Sequence, residues 1–438
     1  MINISYYRQN PIMRRLLEYL DGALFQIGVS PYPNAYRHHR RIGHITEGVE
    51  EGLDIHRSIL DEKKLLFVVD IEYGNRDFPG HAFHMPYEVF EKLEPSRLAI
   101  KDIMDEHSIP YVELMTGQGY NFVSSVNRKS PSYKALLSLG VKLRAVPWTA
   151  FGEMSRKEKR FGNHPIIADS IAYAALGRIQ QYMVDYIRGK TGTLPLRSSD
   201  IFDGNEIVIF DTSQFGHHIV RRSKRCAFSL YQKAPTDPKY NYHGPPLVTI
   251  PSKGLAIAQR IETRSDERDN YKLAVNLSRD TSVEIPEADL ASLMTSYFVS
   301  PAYQRDIEHA QQLGTRFPDT DVTMYVEKLR EVCPGADDAT LFWDIPYPNW
   351  DAVNAAQLSE TSRFTISHPN DQMLKPKSLR CFIQDMKVNG FDDRHVMSVI
   401  AEIYRQNHGW NSDITKNDPM LMADYWVRTL KDQHHNLD

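Results

Sequence analysis

Cysteine is scarce in this chain, and its three cysteines lie far apart, at Cys226, Cys333 and Cys381. An odd and widely spaced set forms neither a disulfide framework nor a four-cysteine zinc or iron–sulfur site. The sequence therefore excludes the small disulfide-rich class and the cysteine-ligated metal class. This pattern is typical of a reducing compartment, so we expect a cytoplasmic protein.

Long apolar runs are also missing. No apolar run of about 18 residues is present, and the first 20 residues lack the apolar core of a signal peptide. We therefore expect no membrane as a partner. The 438 residues are 41% hydrophobic and 25% charged, which is typical of a soluble globular protein with enough apolar material for two units.

An excess of positive charge is the third absence, since the net charge is −4. The overall charge therefore does not indicate nucleic-acid binding. Basic residues do cluster at 36–41, 155–160 and 221–225. Such clusters suit a phosphate-bearing partner, and solvated surface faces are an equally common explanation.

Hydrophobic periodicity predicts an α+β protein. The first 60 residues have a helical pattern, and further helices are predicted at 95–107 and 166–188. Strands are predicted at 65–71, 204–211 and 245–251, with a hairpin over 112–126. After about residue 285 the pattern is mostly helical, and it includes a helix pair with N-caps at Ser378 and Asp392 and a stop at Gly390. We expect mixed sheets flanked by helices in residues 1–290, with a helical insertion at about 150–195, and an all-helical domain in residues 291–438.

Carboxylates follow two of the predicted strands. Asp70 and Glu72 come at the end of the first strand and project to the same side, with Cβ atoms roughly 6–7 Å apart. Asp211 ends the second strand. Two like charges so close favour a shared cation, and carboxylate oxygens favour Mg²⁺ or Mn²⁺. Solvated strand ends are the alternative, and the spacing alone does not show that the two strands are neighbours.

Two further segments suit phosphate binding. In the turn at 116–121, Gly117 and Gly119 permit positive φ and let backbone amides approach an anion. A plain hairpin turn also explains these glycines. After Asp211, the residues Arg225, Ser229 and Lys233 recur at intervals of four, which predicts one face that holds a triphosphate. A basic surface loop is the alternative here.

In this order, the three segments resemble the motifs of the archaeo-eukaryotic primase superfamily, over about residues 30–260. That family has a D-x-D/E pair, then S-G-x-G-x-H, then a strand-terminal aspartate followed by R…S-L-H-x-K. The matching residues are Asp70 and Glu72 for the first motif, Asp211 for the third, Thr116, Gly117, Gly119 and Asn121 for the second, and Arg225, Ser229 and Lys233 for the last segment. Asn121 and Tyr231 stand where the family has histidines.

The resemblance implies a primase-polymerase catalytic core with a helical accessory domain. It implies that Asp70, Glu72 and Asp211 hold two Mg²⁺ or Mn²⁺ ions. The glycine turn and the last segment would bind an NTP or dNTP. The expected partners are a single-stranded DNA template, contacted by Arg37, Arg40, Arg41, Arg221 and Arg222, and a helicase or another replication protein.

Two other functions remain open at this point. Asn121 cannot carry the charge of a histidine, so a primase-fold protein that binds nucleic acid in replication or defence without polymerising is one alternative. A metal-dependent nuclease that uses the same three carboxylates is the other. A zinc site at His81 and His84, or at His217 and His218, is disfavoured because no matching cysteines or H-E-x-x-H motif accompany them.

Overall fold

The computed structural model describes residues 4–28, 45–59, 61–143, 166–192, 194–198, 205–212, 215, 219, 222–252, 254–255, 271–312, 348–369, 376–405, 426–427 and 430. The chain divides into two compact units. The first comprises Met1–Ser132, Ile179–Thr212 and Val220–Met294, and the second comprises Tyr133–Arg178, Ser213–Ile219 and Thr295–Asp438.

Eleven strands are present in the described residues, all of them in the first unit. They are β1 (Phe25–Gly28), β2 (Asp54–Ser58), β3 (Lys64–Asn75), β4 (Val112–Met115), β5 (Gly119–Asn127), β6 (Leu196–Arg197), β7 (Glu206–Phe210), β8 (Ser223–Arg225), β9 (Leu230–Tyr231), β10 (Leu247–Val248) and β11 (Ile250–Pro251). Six of them form one mixed sheet in the order β11-β4-β5-β3-β7-β6, in which β6 and β7 are parallel and the other pairs are antiparallel. An antiparallel sheet β1-β2-β8 and the pair β10-β9 complete the set.

The helices of the described residues lie in both units. They are α1 (Ile4–Tyr7), α2 (Asn10–Leu20), α3 (Ile45–Glu51), α4 (His81–His84), α5 (Pro86–Glu106), α6 (Pro131–Lys142), α7 (Ile166–Ile187), α8 (Lys233–Thr236), α9 (Tyr271–Asp280), α10 (Ala291–Phe298), α11 (Pro301–Gln312), α12 (Trp350–Ala355), α13 (Glu360–Ser367), α14 (Pro376–Val388) and α15 (Asp393–Arg405). None of the described helices is both long and apolar enough to cross a bilayer.

The core of the first unit lies along β3. Residues 65–69 of this strand are all buried, because β3 is a central strand covered on both faces. Helix α5 packs on the sheet, where the ring of Phe90 meets the ring of Tyr120 edge-on at 5.1 Å. A central, fully paired strand is a rigid support for the side chains that it carries.

The structure confirms the α+β class and several of the predicted elements. Strands β4 and β5 form the predicted hairpin, β7 lies within the predicted strand at 204–211, and α7 matches the predicted helix to within one residue. Gly390 ends α14 with φ +83°, and the side chain of Asp392 accepts a hydrogen bond from the backbone N–H of His395 at 2.8 Å, as an N-cap does.

Other predictions about elements were wrong. The first 60 residues contain β1 and β2 as well as helices. Helix α5 begins at Pro86 rather than near Pro95 and continues through that proline. Strand β3 extends to Asn75, so Asp70 and Glu72 lie inside a strand and not at its end. Ser378 lies inside α14, which begins at Pro376, and is therefore not an N-cap.

The two units differ in outline from the two domains that we predicted. The first unit ends at Met294, close to the predicted boundary at 290, but residues 133–178 belong to the second unit. All elements described after residue 290 are helical. The part of the predicted helical insertion at 144–165 lies outside the described residues.

Candidate active site

Asp70 in β3, Asn121 in β5 and Asp211, which directly follows β7, lie side by side. In the register of β3 and β5, Asp70 is opposite Asn121. On its other side, the carbonyl of Asp70 accepts a hydrogen bond from the backbone N–H of Asp211 at 2.8 Å, directly after the last pair of β3 and β7. Directly opposed residues project to the same face of a sheet. The structure therefore brings together two of the three predicted carboxylates and the asparagine of the glycine turn segment.

A lysine lies between the two aspartates. Lys224 in β8 donates a hydrogen bond to Oδ2 of Asp70 at 2.7 Å, and the same Nζ lies 4.0 Å from Oδ2 of Asp211. On the other side of Asp70, Asn121 donates to Oδ1 at 2.7 Å when its side-chain amide is oriented with the nitrogen toward this carboxylate, which is the orientation that satisfies both ends of the amide. The carboxylate of Asp70 is thus held from both sides.

The electrostatics of this cluster are governed by burial. The pKa of Asp70 is raised to about 6. Burial is the main cause, the ammonium of Lys224 opposes the rise, and the charges of Glu72 and Asp211 add to it. Burial by itself would lower the pKa of Lys224, but Asp70 and Asp211 outweigh it and raise this pKa. Lys224 therefore remains an ammonium at neutral pH.

Glu72 faces a second group of polar side chains. It lies two residues beyond Asp70 on the same face of β3, opposite Gly119. Nearby, Lys233 donates to Oε1 of Gln118 at 2.9 Å, and the hydroxyl of Tyr231 donates to the same oxygen at 3.2 Å. Burial alone would lower the pKa of Lys233, but Tyr231 and Glu72 raise it, so this ammonium also stays charged.

The glycine turn fits closely against its neighbours. A Cβ on Gly119 would lie 1.8 Å from the carbonyl oxygen of Ile71, and a Cβ on Gly117 would lie 2.8 Å from the ring of Tyr231 and 2.9 Å from that of Phe83. Neither glycine has a positive φ, so the prediction that they are present for that conformation was wrong. They are required because the chain passes too close to other atoms for any side chain.

Thr116 closes this turn. Its backbone N–H donates to the carbonyl of Gly119 at 2.9 Å, and its hydroxyl oxygen accepts from the N–H of Gly119 at 3.1 Å. The hydroxyl of Thr116 is thereby held at the end of the hairpin. The side chain of Gln118 is fixed at the same place by Lys233 and Tyr231.

Arg225, Ser229 and Lys233 do not lie on one face. Arg225 pairs with the buried Asp54 at 2.9 Å, and its guanidinium lies 4.1 Å from the ring centre of Tyr231. Ser229 is buried, and its hydroxyl accepts from the N–H of Ile55 at 2.7 Å. The segment is a strand, a turn, a second short strand and a short helix, so an interval of four gives no common face. Only Lys233 reaches the glycine turn.

The predicted nucleic-acid contacts are mostly outside the described residues. Arg37, Arg40, Arg41 and Arg221 lie outside them, and so do His217 and His218, which were considered only for a zinc site. Arg222 is half-buried, its carbonyl accepts from the N–H of Ile59 at 3.0 Å, and its positive charge acts against protonation of Lys224. Arg222 therefore belongs to the surroundings of the carboxylates.

The donor set fits a divalent cation in part. Asp70 and Asp211 present carboxylate oxygens toward the same ammonium, and Mg²⁺ and Mn²⁺ prefer such oxygens. Among the described residues, however, no three histidine, cysteine or acidic side chains come together as a metal-binding cluster. A cation at Asp70 and Asp211 has to take the place of the Lys224 ammonium.

Sequence reasoning missed Lys224 and Gln118 as members of the site. In the sequence, Lys224 is one of several cations in the basic segment 221–225. In β8, Lys224 and Arg225 point to opposite faces because side chains alternate along a strand, which is why one reaches Asp70 and the other Asp54. That alternation was present in the sequence, but a strand of three residues gives too short a pattern to recognise.

Comparison of the chain with family models, with curated proteins and with solved structures finds no match.

Proposed function

We propose that this chain is a template-dependent nucleotidyltransferase of the primase-polymerase type, acting in the cytoplasm on single-stranded DNA. The observation that carries the proposal is the meeting of Asp70 and Asp211 across β3 and β7. These residues are 141 positions apart in the chain, and the fold nevertheless brings both carboxylates to the ammonium of Lys224. Their approach is what a cation site for phosphoryl transfer requires.

The resemblance of the motifs supports an assignment of roles. Asp70, Glu72 and Asp211 would hold two Mg²⁺ or Mn²⁺ ions, which, when bound, supply a Lewis acid that activates the attacking hydroxyl and neutralises the leaving group. Lys233, held at the glycine turn by Gln118, is positioned for the phosphates of an NTP or dNTP. Arg225 and Ser229 would hold neighbouring strands in place and would not contact the nucleotide, since Arg225 already pairs with Asp54 and Ser229 with the backbone of Ile55.

The proposed reaction balances without any further reagent. The terminal 3′-hydroxyl of a growing strand attacks the α-phosphate, a new O–P bond forms, and the bond to the β-phosphate oxygen breaks. Pyrophosphate leaves with the electron pair of that bond, and the proton of the hydroxyl passes to solvent. Asp70, which has a pKa of about 6, is mostly ionised at pH 7 and can orient the attacking group.

A primer-extension assay tests this proposal. Single-stranded templates are incubated with or without a primer, with NTPs or dNTPs and with Mg²⁺ or Mn²⁺, and the products are resolved by length. We expect longer or newly made strands from the wild-type protein, and a loss of about a hundredfold or more in Asp211→Asn. Asp77→Asn is the matched control, since Asp77 is exposed and lies outside the cluster.

The products also separate the alternatives. Shortened oligonucleotides would replace the proposal with a metal-dependent nuclease. Template binding without incorporation, at any metal concentration, would replace it with a nucleic-acid-binding protein on a reduced primase fold. The position of Lys224 favours the nucleic-acid-binding protein over the nuclease, because its ammonium already offsets one of the two aspartate charges without a metal. A helicase or another replication protein is a proposed partner in either case.

A further inference from the structure

A cavity of about 500 Å³ opens beside the glycine turn, in the first unit. Its walls are α4, the beginning of α5, the end of β4 and the loop that follows Tyr240. Phe83, Phe90, Thr116, Gly117 and Tyr242 are among the residues that line it. This volume is within the range of about 300–1,000 Å³ that is usual for small-molecule sites.

Aromatic rings form a fixed frame around this cavity. The ring of Phe83 meets that of Tyr240 edge-on at 5.1 Å and that of Tyr242 at 5.7 Å. The ring of His84 meets that of Tyr242 edge-on at 5.9 Å, and its Nε2 lies 3.2 Å from the carbonyl oxygen of Asn241. Rings that pack on one another in this way keep a cavity open without a ligand, so the site is preformed.

The charge of the lining restricts the ligand. No acidic side chain, lysine or arginine is among the described residues that line the cavity. A phosphate or an ammonium group placed inside would therefore have no charged partner, and its desolvation would oppose binding. Residues with polar side chains are also present in the lining, at Asn241 and His243, and groups of this kind can bind the edge of a neutral ring.

The position of the cavity links it to the phosphate-binding end of the candidate active site. Gly117 is part of the cavity wall, and its neighbour Gln118 accepts a hydrogen bond from Lys233 at 2.9 Å. A ligand with a neutral planar part and an anionic part could therefore bind here, with its planar part in the neutral cavity and its anionic part near the ammonium of Lys233, because both lie beside the same turn.

We propose that this cavity binds the nucleobase of a nucleotide, by stacking on its aromatic rings and by hydrogen bonds to the edge of the base. This inference rests on the proposed function, since it names where the base of a substrate or template is held. A neutral, planar heterocycle with polar edges is the ligand class that agrees with the volume, the rings and the absence of charge in the lining.

Adenosine and cytidine are the probes, because they carry no phosphate and need no metal. Their binding is measured by isothermal titration calorimetry with the full chain. We expect measurable affinity in the wild type, and a loss of at least about tenfold in Tyr242→Ala, which removes a stacking ring. We expect a similar loss in Leu247→Trp, because Leu247 lines the cavity and the larger ring fills it.

Leu17→Trp is the matched control, since Leu17 is 40% exposed on α2 and does not line the cavity. Thermal melting of each variant shows whether it is folded, and Tyr242→Ala keeps the test decisive if Leu247→Trp does not fold. An absence of nucleoside binding to the wild type at millimolar concentration would overturn the inference. Equal affinity in the wild type and a folded Tyr242→Ala would do so as well.

Two competition experiments identify the source of the base. Displacement of adenosine by ATP at lower concentrations than by single-stranded DNA supports the incoming nucleotide, and the reverse order supports the template strand.

The inference about the cavity and the proposed function can be contradicted separately. Nucleoside binding in a protein that incorporates no nucleotide would contradict the polymerase alone, whereas incorporation without nucleoside binding would contradict the cavity alone.

Discussion

Lys224 has the position that a divalent cation requires in the proposed reaction. Its Nζ is 2.7 Å from Asp70 and 4.0 Å from Asp211, so its positive charge offsets part of the repulsion between the two carboxylates. A metal ion and this ammonium compete for the same oxygens. Lys224 is therefore expected to weaken metal binding while stabilising the metal-free protein.

Replacement of Lys224 by methionine tests this competition. We expect Lys224→Met to bind Mn²⁺ about tenfold or more tightly than the wild type, because the ammonium no longer has to be displaced. Without metal, the same variant should melt at a lower temperature, because a buried carboxylate has lost its partner. Mn²⁺ affinity is measured by electron paramagnetic resonance of the free ion.

Lys92→Met is the matched control, since Lys92 pairs with Glu88 and Glu206 at 2.9 and 3.0 Å and is only half-buried. We expect it to leave Mn²⁺ affinity unchanged. If Lys224→Met binds Mn²⁺ no better than the wild type, the cation does not bind between Asp70 and Asp211.

The pKa of Asp70 gives a second prediction. The protonated carboxyl is not a metal ligand, so Mn²⁺ affinity should fall as the pH is lowered through about 6, the pKa of Asp70. Between pH 7 and pH 5 the loss should be about tenfold, since the ionised fraction of a carboxyl with a pKa of about 6 falls from about nine-tenths to about one-tenth. Titration of Mn²⁺ at intervals of half a pH unit measures this, and Asp70→Asn should lose the dependence. A flat profile from pH 7 to 5 would mean that Asp70 is not a ligand.

The candidate site could be predicted from the sequence only in part. Asp70 and Asp211 were found because each follows a run of apolar residues, which is a local pattern. Their approach depends on which strands are neighbours, and that is decided by pairing over long distances in the chain. Lys224 reaches the site from the sheet β1-β2-β8, whose strands come from three separate segments, and no local pattern indicates such a contact.

At the scale of elements, β3 shows why sequence and structure differ. The sequence predicts that the strand ends at the acidic residues Asp70 and Glu72, because charged side chains are rarely buried. The strand continues for three residues beyond Glu72, since β7 pairs with residues 71–75 of β3, while β5 pairs with β3 as far as Glu72. Pairing on both sides supplies backbone hydrogen bonds that outweigh the low strand preference of aspartate. Helix α7 was predicted well because its periodicity is long and needs no partner strand.

The close pairing of β3 and β5 gives a prediction about Gly119. Gly119→Ala should lower the free energy of unfolding by about 1–3 kcal/mol, because the new Cβ would lie 1.8 Å from a backbone oxygen that cannot move alone. Urea denaturation monitored by circular dichroism measures this. In the control, Gly48→Ala in α3, the atoms nearest to the new Cβ belong to the side chain of Ile27 in β1, which can shift, so we expect little loss or a small gain in stability. Equal stability of Gly119→Ala and the wild type would show that the two strands pair in another register.

At the scale of the whole molecule, the chain crosses between its two units more than once. Residues 133–178 lie between two segments of the first unit, and they group with residues 295–438. One reason is visible in the second unit, where Lys142 donates to the hydroxyl of Tyr303 at 2.5 Å and lies 5.2 Å from the centre of its ring. A division into an N-terminal and a C-terminal domain does not describe such a chain completely. The periodicity of a sequence cannot reveal this, because it reports on elements and not on which elements pack together.

This organisation predicts the behaviour of a chain cut at the boundary that the sequence suggested. A protein of residues 1–290 keeps the strands of the first unit but leaves residues 133–178 without the helices that they group with. Apolar surface on this segment would then be exposed to water. We expect the shortened chain to bind the dye ANS more strongly than the full chain and to melt at a lower temperature. The opposite result is a fragment that binds no ANS, melts as the full chain does and keeps its Mn²⁺ affinity. It would show that the first 290 residues fold independently, because grouping of 133–178 with the later helices would then contribute nothing to their stability.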